Sequence, residues 1–216
     1  VRLTAALVGA LSAAALLTGC GSGAPPAIDR TDLVNDLAAR LSHAGEVSYS
    51  ARYQVAGGSS ATVAQTAAPA RTAYRWDSGA LVLTTGATTS CGGKPVTCST
   101  TAPPGPGQPV GADLPKHGLV TAQQVSALLT AAVLDLRTDI QQRDSTIAGQ
   151  PAACVDVNGV KDGAGYEFDV CVITDGVLGS FAGTVNGKAI EMTMTHYSRV
   201  VAEDSFATAM PSPTGD

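Results

Sequence analysis

Bulky side chains are scarce in this 216-residue chain, which holds one tryptophan, three phenylalanines and three methionines. Aromatics make up 4% of residues and charged residues 14%. So modest a supply of bulk makes covalent staples useful. There is no basic excess either: the net charge is −5, which argues against a nucleic-acid partner. Catalytic signatures are missing. The chain contains no GxSxG, no HExxH and no P-loop. Ser90 and Lys94 are spaced SxxxK, not SxxK. His43, His117 and His196 fall at a helix end, in a Pro/Gly-rich loop and on a late strand. Glu167 and Asp169 alternate with Tyr166, Phe168 and Val170 as a solvated face does, and Asp175 reads as a turn former. No nucleophile–base set can be assembled, so the chain is not read as an enzyme.

The one long apolar run lies at the beginning. Residues 3–18 follow Arg2 and are rich in Ala and Leu. The run has the length of a secretory signal's hydrophobic region and is short for a membrane span. It ends at Leu17-Thr18-Gly19-Cys20, the pattern of a bacterial lipobox. Residues 1–19 are therefore expected to be a lipoprotein signal peptide, with Cys20 as the lipid attachment site. Residues 20–30 (CGSGAPPAIDR) form a flexible tether. Two acyl chains hold a protein stably where one holds only marginally. The expected place is the outer face of the cytoplasmic membrane. The tail 209–216 is expected to be disordered.

Four further cysteines remain, an even number for an exported chain. Of the three possible pairings, local context favours Cys91–Cys98 and Cys154–Cys171. The first pair closes a short turn-rich loop. The second flanks a turn-rich stretch, residues 158–165, whose position is that of a hairpin tip. The 91–98 spacing is not CxxC, and no His/Cys pair has zinc-like spacing. No metal and no cofactor are expected.

A helix is expected over 31–44, with Thr31 or Asp29 as its cap and Leu33, Val34, Leu37, Ala38 and Leu41 on one face. Strict alternation from Val47 to Val55 marks a strand that Gly57-Gly58 ends. Short strands follow near 61–66, 70–77 and 79–85, and residues 101–117 read as a surface loop. Thr121 and Gln124 form a capping box that opens a second helix over 121–136. Strands resume near 143–149, 152–157, 166–173, 177–185 and 188–198, with hairpin turns at Asp175-Gly176 and Asn186-Gly187. The class is α+β: nine or ten strands in a curved, mostly antiparallel sheet, with two helices on its concave face.

This order of elements, with YSARYQV, STIAGQPAAC and FDVCVITDGVLGSFAG, resembles actinobacterial lipoproteins with the half-barrel fold of the lipoprotein carrier LolA and the mycobacterial LppX/LprG lipoproteins. The resemblance spans roughly residues 31–208. It implies a half-barrel domain whose apolar cavity accepts acyl chains of lipids or lipoproteins. Tyr49, Tyr53, Phe168, Met192 and Met194 of the strands are candidate cavity residues, with Leu129 and Val133 of the second helix. The expected function is a membrane-anchored envelope lipoprotein that binds or carries lipid, with loop 101–117 as a candidate gate. The alternative is a structural or regulatory lipoprotein that acts through protein contacts.

Overall fold

A computed structural model of the chain describes residues 30–105, 108, 110–161 and 164–208. The signal peptide, Cys20 and the tail 209–216 lie outside the described residues, as does the tether up to residue 29. Arg30, placed by sequence at the end of the tether, already belongs to the first helix.

That helix, α1 (Arg30–His43), includes Thr31 within its span, so Thr31 is not its cap, and Asp29 is outside the described residues. Val34, Leu37 and Leu41 are buried and form its inner stripe. The second helix, α2 (Ala122–Leu134), opens on the expected capping box. The Thr121 hydroxyl accepts from the Gln124 amide at 3.1 Å, and the Gln124 side chain accepts from the Thr121 amide at 2.9 Å. Val125, Leu129 and Ala132 of α2 are fully buried in one core with α1. Small residues let the helices approach closely: the Ser126 hydroxyl donates to the Ala38 carbonyl at 3.4 Å.

The sheet has eleven strands among the described residues, more than the sequence reading expected. They are β1 (Tyr49–Val55), β2 (Ser60–Thr66), β3 (Arg71–Trp76), β4 (Gly79–Thr84), β5 (Thr88–Gly92), β6 (Thr97–Thr101), β7 (Asp139–Ile147), β8 (Gln150–Lys161), β9 (Ala164–Ile173), β10 (Leu178–Val185) and β11 (Lys188–Ser198). The order is β6-β5-β4-β3-β2-β1-β11-β10-β9-β8-β7, and every pairing is antiparallel. The fold is α+β, with an open sheet that does not close on itself. Two meanders, β1–β6 and β7–β11, meet at the β1–β11 pair. The hairpin missed by sequence is β5–β6. Its outer strand is exposed at every position, so it carries no apolar alternation to read.

Register sorts the side chains. Tyr49, Tyr53, Val63, Tyr74 and Met192 stand on the face that carries the helices. Arg52, Ala64, Ala73 and Arg75 stand on the other. That second face is crossed by residues 199–208, which fold back from the end of β11. Arg71 holds Glu203 through two hydrogen bonds of 2.9 Å and lies over the Phe206 ring at 4.2 Å. Arg75 donates to the Ser205 carbonyl at 3.1 Å and also to that of Ala207. The segment reaches the Cys91–Cys98 disulfide, where the Thr208 carbonyl lies 3.5 Å from the Cys91 sulfur.

Both expected disulfides are present, each joining directly opposed residues of a hairpin. Their surroundings differ. Cys154 and Cys171 are fully buried, whereas Cys98 is exposed. Attack by a thiolate needs access to a sulfur. Mild reductant followed by alkylation of the native protein is therefore expected to label Cys91 and Cys98 first. Peptide mapping that found Cys154 or Cys171 labelled equally early would contradict this.

Candidate functional site

Strand β6 ends at one edge of the sheet and β7 begins at the opposite edge. The intervening segment, 102–138, contains α2 and must span the helix-bearing face. It leaves unfilled space on both sides. Toward β1–β4 an open cavity of about 890 Å³ lies under α2, and toward β8–β11 a cleft of about 1060 Å³. Ala131 and Leu134 line both. Leu134 is 78% exposed and Leu136, just beyond it, 88%, so an apolar patch stands where the two spaces meet.

The first space is a tyrosine cavity. Tyr49, Tyr53 and Tyr74 line its floor, with Val63, Met192 and Leu178 beside them. The Tyr53 hydroxyl donates to the Leu178 carbonyl at 2.6 Å. Burial raises the Tyr53 and Tyr49 phenols well above their ordinary value, and neighbouring tyrosine hydroxyls add to it; burial alone pushes Tyr74 up to about 12. All three stay protonated at neutral pH. The Gln65 amide is spent on the Ala44 carbonyl and, at 2.8 Å, on that of Val47. Among the described residues, no Lys, Arg, His, Asp or Glu lines this cavity.

The second space opens over Phe168, Gly183 and Ile190, the inward positions of three adjacent strands. A Cβ on Gly183 would lie 2.6 Å from the Phe168 Cβ, so only glycine lets Phe168 lie flat across its neighbour. Glu167 and Asp169, outward by register, also border this cleft, and Asp169 pairs with Arg143 at 2.6 Å. That agrees with a solvated face.

The candidate cavity residues thus divide. Tyr49, Tyr53 and Met192 line the tyrosine cavity, and Phe168 lines the cleft. Leu129, Val133 and Met194 line neither. Leu129 and Met194 are consumed by the core and Val133 packs against it. Tyr74 and Leu134 were not foreseen. Tyr74 alternates correctly within β3, but a strand with RTAYRW gives no clear apolar face to read.

Loop 101–117 is not wholly a surface loop. Its end turns into a short helix, Leu114–His117, with Leu114 and Pro115 buried. Val110 and Val120 of the same segment help line the tyrosine cavity. Residues 106, 107 and 109 lie outside the described residues. His117 stacks on Trp76 with ring centroids 4.1 Å apart. Asp175 does form a turn, and also more. It accepts from Tyr197 at 2.5 Å and from Arg199 at 2.8 and 2.6 Å. These bonds, chiefly that from Arg199, hold its carboxyl below the usual range. Its turn packs on α1, where Gly176 at φ 77° lies against the Arg40 carbonyl. No cluster of metal-ligating side chains occurs among the described residues, and no helix among them is long and apolar enough to cross a membrane.

No family model matches the chain, and no curated protein matches it. Among solved structures it is similar to an uncharacterized conserved protein from Thermus thermophilus. The TM-score is 0.46 and the identity 10%, over 83% of this chain and 94% of that one.

The His117–Trp76 stack provides a built-in reporter. Burial lowers the His117 pKa, against a smaller opposing pull from Asp113. The neutral ring is therefore the form the fold favours. Its contribution is complete above the ordinary histidine pKa of about 6.5 and is lost as pH falls through the lowered folded value. Trp76 is the sole tryptophan. Its emission is expected to change in a step whose midpoint lies below about 6.5, and His117→Gln is expected to abolish the step. A midpoint at or above that value would refute the burial argument.

Proposed function

We propose that the chain is a membrane-anchored envelope lipoprotein that binds or carries lipid acyl chains in the cavity under α2. One observation carries this reading: the space between α2 and the tyrosine-bearing half of the sheet is uncharged, mostly apolar, open and unfilled by the side chains of the described residues. Its volume, about 890 Å³, lies within the roughly 300–1,000 Å³ of ligand sites. The open eleven-stranded sheet with both helices on one face fits a half-barrel curved around them. Each methylene that leaves water for such a site contributes roughly 0.8 kcal/mol, so no catalytic step is required. The exposed Leu134 and Leu136 give a chain entering from a bilayer an apolar threshold. Anchoring through Cys20 would keep the cavity beside its donor membrane.

The test is to purify the full chain, extract it with organic solvent and analyse the extract by mass spectrometry. A covalent anchor stays with the protein, so the extract reports non-covalently held lipid, and the Ala131→Trp variant extracted in parallel shows how much of it is cavity lipid. About one lipid per chain is expected. After extraction the protein should take up the neutral dye phenylnaphthylamine. Ala131→Trp, which places bulk where the two spaces meet, is expected to weaken that uptake by about tenfold, the effect of roughly 1.4 kcal/mol. An extract without lipid and a dye that does not bind would end this reading and favour a protein partner instead.

A further inference from the structure

Two polar groups in the tyrosine cavity have no task in the fold. Tyr49 and Tyr74 are 7% and 9% exposed. Neither hydroxyl is hydrogen-bonded to a described residue, whereas Tyr53 is tied to Leu178 and Tyr197 to Asp175. Nor is either hydroxyl sealed within the protein, because among the described residues the sealed, unpartnered side-chain oxygen is that of Thr88. Both residues line the tyrosine cavity, which is where two unsealed and unpartnered hydroxyls can find a partner. They stand on adjacent rows of the sheet. Tyr49 is opposite Gln65 on β2, and Tyr74 is opposite Val63, two residues along the same strand.

We propose that the Tyr49 and Tyr74 hydroxyls form the polar end of the ligand site, donating hydrogen bonds to an uncharged oxygen acceptor, an ester carbonyl, of the lipid whose chain occupies the cavity. This rests on the lipid-binding reading and adds the ligand class. Both groups are protonated donors at neutral pH. A buried donor left unmatched costs more than a matched one gains, so the site discriminates for ligands that carry an acceptor at that depth. A free carboxylate is a poor occupant. No cationic side chain lines the cavity among the described residues, and an unpaired charge is expensive to bury. The nearby Arg199 is already committed to Asp175 through two hydrogen bonds. The preferred ligand is thus an esterified acyl lipid rather than a fatty acid.

Displacement of phenylnaphthylamine from the delipidated full chain by three matched probes tests this. Hexadecane has no acceptor, methyl palmitate has an uncharged one, and palmitate is charged at pH 8. Wild type is expected to bind methyl palmitate at least about tenfold more tightly than palmitate. Tyr49→Phe and Tyr74→Phe are each expected to weaken the ester about fivefold, and together about twentyfold, with hexadecane unchanged. Equal binding of ester and carboxylate, or phenylalanine variants that keep full ester affinity, would overturn the proposal and leave the lipid cavity standing. Failure of hexadecane and ester alike to displace the dye would remove the lipid reading and this one with it. A readout independent of variants is the infrared carbonyl band of methyl palmitate bound to wild type. It should shift to lower frequency than in hydrocarbon solvent, and an unshifted band would overturn the assignment.

Discussion

The chain leaves the sheet at one edge and re-enters it at the other. Strand β6 and strand β7 are the two outermost strands, and only residues 102–138 lie between them in sequence. With neighbouring strands about 4.8 Å apart, that segment has to span nearly the full breadth of an eleven-stranded sheet. Much of the molecule follows from this requirement. The crossing segment has to lie on a face, so one face of the sheet becomes the core. It contains a single long helix, so it covers the middle of that face and not its flanks. The end of α2 lies where the two flanking spaces meet, which is why Ala131 and Leu134 wall both.

The other face is handled by different means. Neither α1 nor α2 covers it. It is built instead from small residues, Ala64 and Ala73 among them, with the segment 199–208 laid across. That segment is held by Arg71 and Arg75 of β3, which reach Glu203 and the carbonyls of Ser205 and Ala207. Each guanidinium is used for geometry, since a planar fork fixes two partners at once. On the second meander, the buried Cys154–Cys171 bond ties β8 to β9. The scarcity of bulky residues is thus met on the outer face by covalent and ionic staples.

Where a rule of chain geometry operates within a few residues, it could be read before folding was considered. The alternation in β1, the capping box at Thr121 and Gln124, the Asn186-Gly187 turn and both cysteine pairings are of this kind. The misreadings have specific causes. Strand β6 is an edge strand without an apolar side. The β7–β8 turn is Ala148-Gly149, with Ala148 at φ 49° in a position that Asn more often fills, so Gly149 alone marked it. Leu129 and Val133 lie on the apolar side of α2, but that side packs toward α1 and the core, and the cavity is faced instead by Ser126, Ala127 and Thr130. Periodicity locates a helix's apolar stripe and cannot say whether the stripe meets a partner helix or an empty space. The role of Tyr74 depends on β2 separating it from β1, a tertiary fact.

The cavity and the shortage of bulk are one phenomenon. Protein interiors pack about as densely as organic crystals, so a space of this size persists only if the side chains bordering it cannot reach across. Here the wall formed by α2 is mostly Ala, Ser and Thr, with Gln123 and Leu134 as its longer side chains, and the wall near the end of α1 includes Ala44 and Gly45. Opposite them stand rigid phenol rings, which cannot fold over to close the gap. Water fills the apolar part of such a space poorly, since a buried water needs about two to four polar partners. A ligand that suits both parts is long and apolar over most of its length and carries an uncharged acceptor at one end. The same small residues that deny the chain a dense core thus define what the unfilled volume can hold.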